Sequence, residues 1–359
     1  MKQLITTLTC LFLFLFSFAQ TTEQKIDELL NAYVQLGKLN GTVLVAQGGE
    51  VVYQKGFGYR DAAGKILHTP ESIFQIGSIT KQFTAAVIMQ LHQEKKLSVK
   101  DPLSKYFKGF VNGDKITVEH LLTHTSGLYN YTNDSVIMNN DVTQYYSQAK
   151  MVAIFQNYPA DFEPGAKFNY SNSGYSMLGY IIEKVTRKPY EKVMRERIFQ
   201  PLGMTHTGFD FTHLQHSNKS KGYFSITKDT AIAAPIVDST IAHAAGAMYS
   251  TVADLLKWDR AVAAGKILSE ASWKQVFTPH KSKYAYGWVI DSLHGRPVQG
   301  HSGGIHGFSS YILRFPKDDL AIIVIDNSSA PGGSIARNIG AILVGAPYKI
   351  PQAPKAVAM

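Results

Sequence analysis

A chain of 359 residues with 45% hydrophobic, 11% aromatic and 18% charged side chains has enough apolar surface for a large core and excludes a disordered chain. Its single cysteine, Cys10, excludes an intrachain disulfide framework. The formal net charge of +9 comes from dispersed Lys and Arg with short clusters such as Lys281 to Lys283; this reads as a solvated surface, and no nucleic-acid partner is expected.

Lys2, the apolar run over residues 11–16 and the small residues of Ser17-Phe18-Ala19 have the layout of a secretory signal. Residues 1–19 are therefore expected to be removed by cleavage after Ala19, delivering the chain to a bacterial periplasm or the exterior. A lipid anchor on Cys10 does not fit, because the most hydrophobic run follows that cysteine. No later segment reaches the roughly 18 consecutive apolar residues that span a bilayer.

Over residues 22–36, apolar side chains at Ile26, Leu29, Leu30, Tyr33 and Val34 recur at helical spacing. Strand-like runs at 42–46 and 51–59 follow, joined by the hairpin signal Gln47-Gly48-Gly49-Glu50. From about 78 to 281 the pattern is mostly helical, with segments at 80–95, 118–122, 176–185 and 252–263. Strands return at 286–290, 297–302, 308–315 and 320–326, and 334–344 closes the chain as a helix before a proline-containing extended tail. The prediction is an α+β fold, one domain over 20–359. Strands from 20–77 and 282–345 share an antiparallel sheet flanked by the terminal helices, residues 78–281 form an inserted helical region, and 346–359 are the tail. The cleft between sheet and insertion is the expected site.

Ser78-Ile79-Thr80-Lys81 places a hydroxyl and an amine on one helical turn. The same spacing occurs at Ser147 to Lys150 and Ser225 to Lys228, but only Ser78 follows a glycine, Gly77, and opens a helix uncharged from Phe83 to Leu91. The exposed N–H groups of a helix start stabilise negative charge there. Tyr170-Ser171-Asn172, between Glu163-Pro164-Gly165 and a helix predicted from Ser176, reads as a loop presenting a phenol. Tyr131-Thr132-Asn133 has the same spacing and is set aside as a decoy.

His301-Ser302-Gly303 ends a strand-like run and is followed by Gly304, which lets a ligand approach the backbone. Gly300 to Gly304 also satisfies G-x-S-x-G, yet the last histidine, His306, precedes Asp318, Asp319 and Asp326, so the serine, acid, histidine order cannot be completed. His120 and His124 lie one helical turn apart without the zincin glutamate and read as structural hydrogen-bonding residues. Neither a metal nor a cofactor is expected.

The three motifs in this order resemble the serine β-lactamase and penicillin-binding-protein superfamily, especially its class C-like branch of D-alanyl-D-alanine carboxypeptidases, D-aminopeptidases and esterases. The segments His120 to Leu128, Pro164-Gly165 and Ala245 to Thr251 are similar to that family too. The resemblance implies a β-lactamase/transpeptidase-like fold and acyl transfer through a covalent ester on Ser78. A serine hydroxyl needs a base within hydrogen-bond reach; Lys81, with a pKa lowered by burial, and Tyr170 are the two candidates.

The resemblance further implies that Tyr170 shuttles protons and that Asn172 binds Lys81 and the substrate amide. His301 stands where many β-lactamases carry a lysine, with Ser302 and Gly303 beside it in substrate binding. The backbone N–H groups of Ser78 and Gly304 would form the oxyanion hole, and substrate would lie along the strand of His301 as an added edge. A histidine at the third motif favours a D-amino-acid peptide or a small ester or amide, peptidoglycan fragments included, over efficient β-lactam hydrolysis. The alternatives are a class C-like β-lactamase and a non-catalytic penicillin- or cell-wall-binding sensor.

Overall fold

The computed structural model describes residues 20–140, 142–227 and 229–353, so the expected signal segment with Cys10 and the end of the tail lie outside the described residues. Helix α1 (Thr22–Gln35) starts at a capping box: Thr21 Oγ1 accepts from Gln24 N–H, and the Gln24 side chain accepts from Thr21 N–H. The stripe Ile26, Leu29, Leu30 and Tyr33 is its buried face. Strands β1 (Gly41–Gln47) and β2 (Glu50–Gly56) form the hairpin read from the double glycine.

The inserted region carries helices α2 (Thr80–Gln93), α3 (Asn172–Thr186), α4 (Ser239–Gly246) and α5 (Val252–Ala263). Strands β3 (Val289–Leu293), β4 (Arg296–Ile305), β5 (Phe308–Phe315) and β6 (Leu320–Asp326) follow, and α6 (Gly332–Leu343) closes the fold. The six strands make one antiparallel sheet in the order β2-β1-β6-β5-β4-β3. Its centre joins the two ends of the chain, with β1 on β6 from Gly41↔Asp326 to Gln47↔Leu320. An antiparallel sheet built from both termini is the architecture predicted from the sequence.

Alternation along the strands sends side chains into two cores. Val43, Val45, Leu313, Ile322 and Val324 pack with Ile26, Leu30, Ile335 and Ile339 of the terminal helices. Leu44, Ala46, Ile312, Ile323 and Ile325 join the larger core of the inserted region. With both faces covered, every residue of β6 is buried, which is why it reads as a continuous apolar run. Truncating a residue such as Ile323 to alanine would cost about 2–5 kcal/mol.

Two local expectations are corrected. The predicted strand at 286–290 begins only at Val289: Tyr286 and Trp288 are buried in the larger core, and Gly287 between them has φ +78°, a conformation that breaks strand alternation. The helix predicted from Ser176 begins at Asn172. Within the mostly helical insertion, Tyr223–Ile226 pairs with Ala231–Ala233 as a short hairpin, placing Ser225 on a strand. Among the described residues no helix is long and apolar enough to cross a membrane.

Candidate active site

The site begins with a backbone constraint at Gly77. Its φ is +51°, and a Cβ there would lie 2.7 Å from Gly304 N and 2.8 Å from Gly304 O. Glycine alone lets the 3-10 turn Gly77–Ile79 lie against the end of β4 before the chain enters α2. Thr80 secures the turn: its Oγ1 donates to Gly77 O at 2.7 Å and accepts from Met248 N–H at 3.2 Å. Ser78 is thereby held half-buried at the start of a buried helix.

Lys81 lies one turn further on and has no exposed surface. Its Nζ donates to Ser78 Oγ at 2.9 Å, Asn172 Oδ1 at 2.8 Å and the Ala245 carbonyl at 2.7 Å. None of these partners is a carboxylate, and burial pushes the amine well below the usual lysine range. Once neutral, the amine can reverse its bond to Ser78 and accept the hydroxyl proton.

Tyr170 is the second group on the serine, its OH donating to Ser78 Oγ at 2.9 Å. Burial raises this phenol above its ordinary pKa, so it is a neutral donor at neutral pH. Its ring lies 4.1 Å from the His124 ring and 4.8 Å from Lys81 Nζ. His124 Nδ1 accepts from Ser171 N–H at 3.1 Å, which anchors the loop carrying Tyr170. His120, its predicted structural companion, accepts from Thr117 N–H at 3.2 Å and caps a short helix.

Asn172 opens α3 and is oriented from three directions. Its Oδ1 accepts from Lys81, its Nδ2 donates to Thr132 Oγ1 at 3.1 Å, and its backbone N–H donates to Asn130 Oδ1 at 2.9 Å. An Asn amide carries two N–H bonds, so one beyond that to Thr132 is available to a ligand. The loop set aside as a decoy therefore contributes to this site: Thr132 touches Asn172, and Tyr131 is buried with its OH on Ile241 O at 2.8 Å.

His301 is buried on β4. Nδ1 lies 2.6 Å from the Ser302 carbonyl and must donate to it, which leaves Nε2 to accept from Tyr284 OH at 2.9 Å. Burial first, and the neighbouring Lys81 second, hold His301 down to about 4. Both ring nitrogens are engaged within the protein. Ser302 is exposed in mid-strand, away from any strand-to-helix turn, and Gly303 packs against Ile76 O and Ser310 Oγ.

Gly304 is exposed with open space where a side chain would be. Pairing of β3 with β4 ends at Gly300↔Val289, whereas β5 accompanies β4 to Ile305↔Phe308. Residues 301–305 thus extend past the end of β3. A cleft of about 90 Å³ opens here, with Ser78, Thr132, Asn172 and Gly304 on its wall. Among the described residues, no group of three or more His, Cys, Asp or Glu side chains is placed to hold a metal.

Sequence reading missed Asn130, Thr132, Tyr284 and the Ala245 carbonyl. Only Ala245 lay in a segment singled out for family likeness, and a backbone oxygen leaves no mark in side-chain chemistry.

A sequence model of the family described as Beta-lactamase matches residues 23–346. The chain belongs to the Beta-lactamase family. This family member is 32% identical over 313 residues to the Bacillus subtilis protein named "Putative penicillin-binding protein PbpX", covering 86% of this chain and 76% of the relative. The octameric penicillin-binding protein homologue from Pyrococcus abyssi superposes with a TM-score of 0.81 at 31% identity, covering 90% of this chain and 77% of that one. A D-stereospecific amidohydrolase from Streptomyces sp. gives a TM-score of 0.78 at 29% identity, covering 90% and 98%. The architecture of this Beta-lactamase-family chain is the β-lactamase/transpeptidase-like fold, shared with penicillin-binding-protein homologues and a D-stereospecific amidohydrolase.

Proposed function

We propose that this protein is an exported serine hydrolase forming an acyl-enzyme on Ser78, with D-amino-acid peptides or small esters and amides as substrates. One observation carries the reading: Ser78 Oγ lies 2.9 Å from both Lys81 Nζ and Tyr170 OH, and among the described residues the buried amine has no carboxylate partner. The family resemblance and the likeness to a D-stereospecific amidohydrolase support the substrate class. The N-terminal signal layout supports export.

In this mechanism Ser78 Oγ attacks the substrate carbonyl carbon as neutral Lys81 takes the hydroxyl proton. The N–H groups of Ser78 and Gly304 receive the oxyanion, where one such donor is typically worth about 3 kcal/mol in the transition state. Tyr170 passes its proton to the departing nitrogen or oxygen and takes the serine proton back from Lys81 as the scissile bond breaks. Water then attacks the ester, its proton returns through the same pair, and the acid product leaves with Ser78 restored.

Labelling with a fluorophosphonate probe followed by peptide mapping tests the assignment. The adduct is expected on Ser78; an adduct on Ser302 with Ser78 untouched overturns it. For export, N-terminal sequencing of protein secreted from a bacterial host should begin at Gln20, and a chain retaining Lys2 contradicts the signal reading.

A further inference from the structure

A second cleft of about 450 Å³ adjoins the first, and the two share Gly304, Ile305 and His306. The first has Met138, Val237 and Ile241 on its wall, and the second has Phe224 and Phe308. Phe224 is 51% exposed, which leaves ring surface beside the cleft for a ligand to cover. Among the described residues lining either cleft, none is Asp, Glu, Lys or Arg.

Lys81 lies beneath Ser78 with its Nζ committed to Ser78, Asn172 and Ala245. His301 has both nitrogens engaged, and His124 uses Nδ1 on the Ser171 amide. His306 meets the Phe224 ring edge-on at 5.6 Å, and burial lowers its pKa. Among the described lining residues, a carboxylate entering either cleft would lose hydration without meeting a Lys or Arg, and an ammonium group would meet no carboxylate. Neutral esters and amides lose little hydration and cover the apolar walls.

We infer that the two clefts accept acyl compounds uncharged on both sides of the scissile bond, and select against substrates with a free terminal carboxylate or α-amine. The inference rests on Ser78 acylation and narrows its substrate class. The chemistry is unchanged: the scissile C–N or C–O bond breaks, the acyl group bonds to Ser78 Oγ, and the leaving amine or alcohol takes the serine proton.

The test compares N-acetyl-D-alanyl-D-alaninamide with N-acetyl-D-alanyl-D-alanine and with D-alanyl-D-alaninamide, by turnover and by protection of Ser78 from a fluorophosphonate. The doubly blocked amide should show a kcat/KM at least about tenfold above either charged analogue and protect at correspondingly lower concentration. In His306→Lys the advantage over the carboxylate compound should narrow, a ratio that does not depend on how much enzyme folds. Equal or better use of either charged compound by the native protein overturns the inference, as does failure of the blocked amide to protect a serine that the probe labels. Failure of the probe to label Ser78 instead removes the acyl-enzyme reading, and this inference with it.

Discussion

Ser78 to Lys81 and Ser147 to Lys150 share one spacing and differ in almost everything else. Ser147 caps the helix Gln148–Asn157, its Oγ accepting from Lys150 N–H at 3.2 Å, while the Lys150 ammonium lies 3.5 Å from the centre of the Tyr146 ring on an exposed residue. Ser78 makes no such cap: the Gly77 turn places it inside a 3-10 segment, and its Oγ faces Lys81 Nζ and Tyr170 OH. Spacing brings a hydroxyl and an amine within reach, whereas burial and a third group convert the pair into a candidate proton-transfer site.

The largest effect should come from the hydroxyls. Ser78→Ala should abolish probe labelling and lower hydrolysis by about 10⁴-fold or more. Ser147→Ala should leave turnover intact and cost about 1 kcal/mol of stability through the lost cap; chemical denaturation and steady-state kinetics on both variants would separate the two regions. Retained labelling in Ser78→Ala would erase the distinction.

Removing the proton carriers comes next. Lys81→Ala and Tyr170→Phe should each slow acylation by about 10²–10⁴-fold, while Lys150→Ala should not change it. Stopped-flow burst kinetics report this step directly, and a native burst rate in either site variant excludes that residue as a proton carrier. Gly77→Ala tests the backbone: a side chain at φ +51°, 2.7 Å from Gly304 N, must displace the turn. A displacement of about 1 Å costs about 10²-fold in rate, so an unaltered rate would show that the glycine is dispensable.

Two pH effects sharpen the contrast at smaller amplitude. Neutral Lys81 is the form that accepts a proton, so kcat/KM should rise with pH through its lowered pKa and level off well below about 10.4, the ordinary lysine value. A limb still climbing at that pH would mean that burial does not tune this amine. His301 is held to about 4, below the roughly 6.5 of an unfolded histidine. The unfolded chain therefore binds the extra proton, and the stability from keeping His301 neutral, full above about 6.5, is lost as pH falls toward 4. Urea midpoints across that range should slope less in His301→Gln than in the native protein.

The same local logic explains what could be read beforehand. Helix α5 emerges from its apolar period with the predicted bounds of 252–263 because that signal lies within one segment. The antiparallel pairing of β1 with β6 follows from apolar runs at both ends of the chain. The errors fall where tertiary packing overrides local pattern: Tyr286 and Trp288 look like strand residues but serve the core beside the positive-φ Gly287. Asn172, read as loop, opens α3 because Asn130, 42 residues earlier, binds its amide.

Ser78, Lys81, Tyr170 and His301 could be named from the sequence because short motifs keep hydroxyl, amine, phenol and imidazole at recognisable spacings. Their chemical state could not. Lys81 is turned into a candidate base by burial and held in place by a carbonyl 164 residues away at Ala245, and His301 is turned inward by Tyr284, 17 residues before it. Residue order specifies side-chain types and local periodicity; the electrostatic environment that sets a proton's affinity is created only when distant segments exclude water together.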